Sequence, residues 1–274
     1  MRKLFAALLL MFVCLAGASL ADEARTLRLA TTTSTHNSGL LDEIMPVFEK
    51  EYGVKVHVIP VGTGKALKLG ENGDVDIVMV HAPDAEMRFV EAGFGVNRRP
   101  FMKNDFVIVG PKSDPAGIKK AEDLEKALKK ISKDKDSVFI SRGDDSGTHK
   151  KERKLWEDAG IDPRGDDYLE IGQGMGAALR MAHEKEAYTL SDRGTYLSLK
   201  DTIDSVILFE GDERLENPYA VIAVNPARWP ESNYMDAMLL IGWLTSPEGQ
   251  KMIGEFKARG EVLFKPTAIP KDKR

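Results

Sequence analysis

The stretch LRLATTTSTHNSGLLDEIMPVFEKEYG, residues 27–53, contains the strand, loop and helix from which the fold can be inferred. The apolar run Leu27–Ala30 predicts a buried strand, and the apolar spacing of Leu40–Tyr52 predicts a helix that Gly53 ends in a left-handed cap. Pro46 lies inside the helical pattern and predicts either a kink or a shorter helix. The loop between these two elements, TTTSTHNSG, is rich in hydroxyl groups.

The same alternation of strands and helices continues along the chain. Further strands are predicted at Val54–Val61, Val75–Val80, Phe106–Val109, Val138–Ile140, Tyr188–Leu190, Val206–Phe209 and Ala220–Val224. Further helices are predicted at Ala85–Ala92, Ala121–Ile131, Thr148–Ala159, Gly176–Lys185, Tyr234–Leu244 and Pro247–Lys257. This pattern is typical of an α/β fold with mixed, mostly parallel sheets flanked by helices. Breaks at Pro111 and Pro218 are either ordinary loops or crossings between two lobes.

Length and charge narrow the functional classes. A chain of 274 residues has room for two modest lobes. Its net charge of −4 argues against a nucleic-acid partner, because a protein that binds nucleic acid needs a positively charged surface to contact the phosphates. Any anion that the protein binds must therefore be held by local groups against a weakly repulsive overall charge.

The first 21 residues have the pattern of a cleaved secretory signal peptide. Arg2 and Lys3 precede the apolar run Leu4–Leu15, and small residues lead to a cleavage site after Ala21. Lipidation of Cys14 is the weaker alternative, because the residue before it is not small. We expect an exported, periplasmic protein that has no cysteine after cleavage and so forms no disulfide.

Three loops share one local design, in which a strand end is followed by glycine and hydroxyl residues and then by a helix start. They are TTTSTHNSG at 31–39, VGTGK at 61–65 and SRGDDSGTH at 141–149, and a fourth, GQGMG at 172–176, lacks the hydroxyls. Unpaired N–H groups and the helix dipole make such helix starts suitable for anions. Each loop alone is better explained by helix capping. Together they favour a shared oxyanion pocket.

The candidate ligand residues are the donors in these loops. They are Thr32, Thr33 and Ser34 in the first loop, Thr63 in the second, and Arg142, Ser146, Gly147 and Thr148 in the third. A guanidinium matches a tetrahedral oxyanion bidentately, although Arg142 could also pair with Asp144 or Asp145. Arg193, in TLSDRGTY at 189–196, is a further candidate, with pairing to an aspartate as the alternative.

Two other chemistries fit the sequence poorly. Ser146 and His149 are three residues apart, but a catalytic triad needs a base and an acid that converge on the serine. The histidines, at positions 36, 57, 81, 149 and 183, do not have zinc-ligand spacing. We expect no enzyme activity, no cofactor and no coordinated metal cation. An exported serine hydrolase using Ser146 is the alternative from another functional class.

Five motifs resemble the periplasmic tungstate-binding proteins of ABC transporters, the TupA-like family. They are TTTST at 31–35, VGTGKAL at 61–67, GDVDIVMVHAP at 73–83, SRGDDSGTH at 141–149 and TLSDRGTY at 189–196. The resemblance implies a two-lobed type II periplasmic-binding fold that closes over a tetrahedral oxyanion. It also implies three segments: a signal peptide at 1–21, lobe I at 22–111 plus 218–274, and lobe II at 112–217.

The resemblance implies capture of tungstate or molybdate for an ABC importer, with an inner-membrane permease as partner and a monomeric binding protein. The third loop also resembles the Arg-x-Asp-x-Ser-Gly-Thr signature of phosphate-binding proteins, so phosphate capture is the alternative. Phosphate carries a proton at neutral pH and needs an acceptor, whereas tungstate and molybdate are unprotonated dianions. The choice depends on whether Asp144 faces the ligand or turns back onto Arg142.

Overall fold

The computed structural model describes residues 25–269, so the predicted signal peptide at 1–21 lies outside the described residues. The strands are β1 Arg25–Thr32, β2 Val54–Val61, β3 Ile77–Val80, β4 Gly95–Gly110, β5 Phe139–Ser141, β6 Tyr168–Glu170, β7 Tyr188–Asp192, β8 Val206–Phe209, β9 Glu216–Val224, β10 Lys257–Ala258, β11 Glu261–Val262 and β12 Lys265–Pro266. The helices are α1 Thr33–Asn37, α2 Leu40–Tyr52, α3 Thr63–Asn72, α4 Pro83–Glu91, α5 Leu124–Lys133, α6 Gly147–Asp158, α7 Met175–Glu184, α8 Arg193–Leu199, α9 Tyr234–Leu244 and α10 Pro247–Glu255. No helix among residues 25–269 is both long and apolar enough to cross a membrane.

Two parallel groups of strands are joined by long antiparallel strands. In the first group β1 pairs with β2 and β3, and in the second β5 pairs with β6 and β7. Strand β9 pairs antiparallel with both β3 and β4. Strand β4 contributes to both groups, because its first part pairs with β9 while Phe106–Gly110 pairs with β7 and β8. The predicted α/β fold with mixed sheets flanked by helices is confirmed, but the sheets are less parallel than predicted, because β4 and β9 pair antiparallel with their neighbours.

The register of the strands brings the predicted loops to common edges. In the first group Thr32 is opposite Val61, so the loops that follow β1 and β2 start side by side. Strand β3 ends at Val80, next to β1 on its other side. In the second group, β5 ends at Ser141 and the adjacent parallel strand β7 ends at Asp192. Each parallel group therefore collects its loops at the carboxyl ends of its strands, where α/β folds bind ligands.

A continuous apolar core connects the two groups of strands. Leu27, Leu29 and Phe48 from the first group belong to the same buried cluster as Ile140 and Leu179 from the second. Two smaller clusters lie on the opposite faces, around Trp156 in one group and around Phe89 in the other. Most of the buried apolar surface is thus shared between the two groups.

One element of the chain agrees with the sequence prediction, and one is much longer than predicted. Helix α2 runs without shortening from Leu40 to Tyr52 through Pro46, and Gly53 caps it with φ 64°, as predicted. Strand β4 begins at Gly95, whereas the sequence predicted only Phe106–Val109. The earlier part of β4 is polar and contains a proline, so it lacks the apolar signal of a buried strand; register shifts interrupt its pairing with β9.

Candidate functional site

The first loop is tied together by the hydroxyl of Thr32. Thr32 caps α1, and its Oγ1 accepts the Thr35 N–H at 3.3 Å and lies 2.6 Å from Thr35 Oγ1. Thr32 and Thr35 are buried, whereas Thr33 is exposed and Ser34 is partly exposed. Thr32 therefore serves as a helix cap, and Thr33 and Ser34 are the residues of this loop with accessible side chains.

The second loop presents a helix start that no side chain caps. Gly62 is the N-cap of α3 and is followed by Thr63. A Cβ placed on Gly147, at the start of α6, would lie 3.7 Å from Thr63 Oγ1. Helix α3 belongs to the first group of strands and α6 to the second, so the N-termini of helices from both groups lie close together. Their unpaired N–H groups and dipoles make the space between them favourable for an anion.

Arg142 in the third loop is held by two partners. Its Nη2 donates to Asp144 Oδ2 at 2.5 Å, and its Nη1 donates to Thr148 Oγ1 at 3.3 Å. The Nε atom of Arg142 is buried and has no hydrogen-bond partner among the described residues. A buried N–H without a partner is rare in folded proteins, and a bound anion would satisfy it. Thr148, 5% exposed, accepts from Arg142 and so keeps its own hydroxyl hydrogen for another acceptor.

Both oxygens of the Asp144 carboxylate accept hydrogen bonds from residues of the same loop. Its Oδ2 accepts from Arg142, and its Oδ1 accepts the Ser146 N–H at 3.3 Å. Partial burial alone would raise the pKa of Asp144, but hydrogen bonds from Ser146 and Arg142 outweigh it and lower this pKa below its usual value. Asp144 is therefore ionised at neutral pH and turned towards Arg142.

The structure supports a different role for Arg193 from the predicted ligand contact. Its Nε and Nη2 donate to the two oxygens of Asp105 at 2.7 and 2.6 Å, and Nη2 also contacts Glu210. Pairing with an aspartate was the alternative that the sequence left open. Asp105 lies at the point where β4 passes from one group of strands to the other. This ion pair at the crossing favours the structural alternative for Arg193, and contact of Arg193 with a ligand stays a prediction.

Sequence reasoning missed a buried polar network beneath the first loop. His81 Nδ1 lies 2.9 Å from Asn217 Oδ1, and Asn217 donates to Asn104 at 2.7 Å. The His81 ring stacks on Tyr219 with centroids 4.7 Å apart. Burial lowers the pKa of His81, with the hydrogen bond to Asn217 opposing the shift, so the imidazole is neutral at pH 7. The only sequence signal was GDVDIVMVHAP, where His81 directly follows a buried strand.

Ser146 and His149 are not arranged as a nucleophile and its base. The hydroxyl of Ser146 caps α6 by accepting the backbone N–H of His149 at 3.2 Å. The imidazole of His149 instead accepts the Asp145 N–H at 3.1 Å and lies 3.3 Å from a Glu170 oxygen. A serine nucleophile needs the imidazole itself on its hydroxyl, so this geometry does not activate Ser146.

Comparisons with known proteins agree with this architecture. A family model described as a PBP superfamily domain matches residues 19–248. The crystal structure of the tungstate ABC transporter from Geobacter sulfurreducens is 57% identical with a TM-score of 0.78, over 84% of this chain and 98% of that one. The tungstate-binding protein TupA from Desulfovibrio alaskensis G20 is 48% identical with a TM-score of 0.82, over 90% of this chain and 100% of that one.

A third relative is similar to this chain by comparison of sequences. The tungstate-binding protein TupA from Peptoclostridium acidaminophilum is 49% identical over 244 residues, which is 88% of this chain and 85% of that protein. The residues matched by the family model include both groups of strands and all three loops of the site. The chain belongs to the PBP superfamily and, within it, to the TupA-like family of solute-binding proteins.

Proposed function

We propose that this protein binds tungstate or molybdate in its cleft and delivers the anion to the membrane permease of an ABC importer. The observation that carries the proposal is the buried Nε of Arg142, which has no hydrogen-bond partner within residues 25–269 and lies near the neighbouring helix starts of α3 and α6. The relatives named for tungstate support the choice of ligand. In this proposal the protein is exported, monomeric, free of cofactor and nucleic acid, and not an enzyme.

The ligand residues that we propose supply only donors. They are Thr32, Thr33 and Ser34 from the first loop, Thr63 from the second, and Arg142, Ser146, Gly147 and Thr148 from the third. Arg142 provides the positive charge, and the hydroxyl and amide groups provide directed hydrogen bonds. Thr32 acts mainly through the cap that fixes its loop, since its hydroxyl is already bonded there.

The position of the lobe boundary is also part of this proposal. Phe106–Gly110 pairs with β7 and β8, and Glu216 pairs with Asp105. This register favours an outward crossing next to Asp105 and a return crossing next to Glu216. The boundaries predicted at residues 111 and 218 differ from these by a few residues and stay a prediction.

Selectivity in this proposal follows from protonation of the ligand. Tungstate and molybdate are unprotonated dianions and need only donors. Phosphate near pH 7 carries a proton, and leaving that proton unpaired in a dry cleft costs about 1–3 kcal/mol. Both oxygens of Asp144 already accept hydrogen bonds within the loop, which supports a role of this carboxylate in orienting Arg142 over contact with a ligand proton.

Calorimetric titration with tungstate, molybdate, sulfate and phosphate tests the proposed function. We expect tungstate and molybdate to bind much more tightly than phosphate near pH 7. Phosphate binding tighter than tungstate binding would replace this proposal with phosphate capture. Failure of all four anions to bind, together with turnover of an ester panel, would instead favour the hydrolase alternative.

The substitution Asp144→Asn tests whether the carboxylate only orients Arg142. We expect tungstate affinity to fall modestly, because the amide holds the guanidinium less strongly, and phosphate affinity to stay absent. Titration of both anions into the variant measures this. A wild-type protein that binds phosphate and loses it on this substitution would identify Asp144 as a ligand acceptor.

The substitution Arg193→Gln tests the structural role of that residue. Removing its charge-assisted bonds to Asp105 should lower the free energy of unfolding by about 1–3 kcal/mol. Tungstate affinity should change far less than in a variant of Arg142. Thermal melting and titration on the same sample separate the two effects, and a large affinity loss with unchanged melting would restore Arg193 as a ligand residue.

A further inference from the structure

A buried acid lies directly beneath the third loop. Glu152, in the second turn of α6, is 2% exposed and accepts a hydrogen bond from the Tyr168 hydroxyl at 2.5 Å. Two further polar atoms in this region, Ser141 Oγ and Trp156 Nε1, are buried and have no hydrogen-bond partner among the described residues. Both interact with the Glu152 carboxyl. Glu152 thus connects β5, β6 and α6 at one point.

The surroundings of Glu152 are otherwise apolar. The carboxyl borders a cavity of about 10 Å³, roughly the space of one water molecule. The other residues that line the cavity are Ile108, Leu128, Phe139, Leu155, Trp156 and Leu190. Helix α5 and strand β7 therefore present only leucines to this acid. Among the described residues, the charged group that acts on Glu152 is Arg153, which is on the same helix and half-exposed, and the titratable group bonded to it is Tyr168.

Burial has a clear consequence for the charge of this side chain. Desolvation raises the pKa of Glu152 to about 7, and the hydrogen bond from Tyr168, together with the nearby Ser141 hydroxyl, only partly opposes this shift. Near neutral pH the carboxyl therefore exists in both its neutral and its ionised form.

Glu152 lies close to both ends of the loop that carries Arg142. Ser141 is the last residue of β5 and immediately precedes Arg142. Thr148 lies four residues before Glu152 on the same helix, hence on the same face one turn away. A neutral Glu152 can donate to Ser141 Oγ, while an ionised Glu152 adds a buried negative charge close to where a dianion would bind.

We propose that Glu152 is a positioning residue for the Arg142 loop whose neutral form favours the anion, so that binding of the dianion takes up a proton at this side chain. The inference rests on the proposed function of the same cleft. The dianion and an ionised Glu152 repel each other through a medium with little screening, and protonation removes this repulsion.

The sign of the pH dependence follows from this coupling. A bound dianion raises the pKa of Glu152 above its value in the free protein, so affinity is greatest below pH 7. Affinity then falls as the pH rises through 7 and levels off once both states are ionised. A rise of about one pKa unit corresponds to a loss of about tenfold between pH 6 and pH 8.5. Tungstate stays unprotonated over this range, so its own titration does not contribute.

The test measures tungstate dissociation constants between pH 6 and pH 8.5 in wild type, Glu152→Gln and Glu157→Gln. Glu157 is the matched control, because it is on the same helix and its side chain is 77% exposed. Wild type and Glu157→Gln should lose affinity with rising pH, whereas Glu152→Gln should bind with nearly constant affinity. Calorimetry in two buffers of different ionisation enthalpy should show proton uptake only where Glu152 is present.

A second variant, Tyr168→Phe, tests the same pH dependence if Glu152→Gln folds poorly. Tyr168→Phe removes a hydrogen bond that stabilises the ionised carboxylate, so the decline in affinity should move to higher pH. Constant affinity in wild type, or equal slopes in wild type and Glu152→Gln, would overturn the inference. Absence of tungstate binding at every pH would instead overturn the proposed function, so the two failures are distinguishable.

Discussion

Replacing Arg142 with alanine is expected to weaken tungstate binding by about 2–5 kcal/mol, roughly thirtyfold to several thousandfold. The loss is large because the guanidinium is the strong positive charge of the proposed pocket. Its Nε is buried without a partner, and its two other donor nitrogens are fixed by Asp144 and Thr148. The Arg142 side chain is therefore already oriented before the anion binds, so binding costs little side-chain conformational entropy. Titration calorimetry measures the change.

A surface arginine of the same region serves as the control for Arg142. The side chain of Arg164 is 80% exposed, so Arg164→Ala should bind tungstate as wild type does. Arg142→Lys should recover only part of the lost affinity, because an ammonium group lacks the planar fork. Wild-type affinity in Arg142→Ala, with the fold intact by circular dichroism, would remove Arg142 from the proposed site.

The next largest effect is expected for Thr148→Val, which should weaken tungstate binding by about 1–3 kcal/mol. The Thr148 hydroxyl accepts from Arg142 and has its own hydrogen available for the anion. Valine has a similar shape but neither accepts nor donates. The substitution therefore leaves the guanidinium less well held and the anion one donor short. Titration of the variant beside wild type measures the loss.

The control for this variant is a threonine outside the cleft. Thr202 is exposed and donates to the Leu199 carbonyl, so Thr202→Val should leave affinity unchanged. If Thr148 only stabilised the start of α6, its loss would lower the melting temperature without changing affinity. Measuring melting and binding on both variants distinguishes these two roles.

The sequence predicted the parts of this protein that depend on local patterns. Leu40–Tyr52 has the spacing of a buried helix face, and Gly53 can adopt the positive φ that ends it. The hydroxyl-rich loops were predicted because each joins a strand end to a helix start. Strand register then brings two of these loops to one edge, which follows from parallel pairing of β1 with β2.

The remaining features depend on contacts between distant residues. Arg193 and Asp105 are 88 positions apart, so no local pattern distinguishes their ion pair from ligand binding. Asn217 precedes a proline and was interpreted as a break, yet it lies in β9 and joins His81 to Asn104. Glu152 is buried only because α6 packs on β5 and β6, which no local sequence pattern shows. Tertiary structure supplied these three assignments.

Strand β4 gives the protein a single folding unit in place of two. One half of β4 pairs with β9, and the other half pairs with β7 and β8. Loss of order in either lobe therefore removes pairing partners from a strand that also belongs to the sheet of the other lobe. The apolar cluster that joins Leu29 to Ile140 adds a shared interior to this shared strand. We therefore expect unfolding to be cooperative across both lobes, so that an anion bound in the cleft would stabilise residues far from any contact with it.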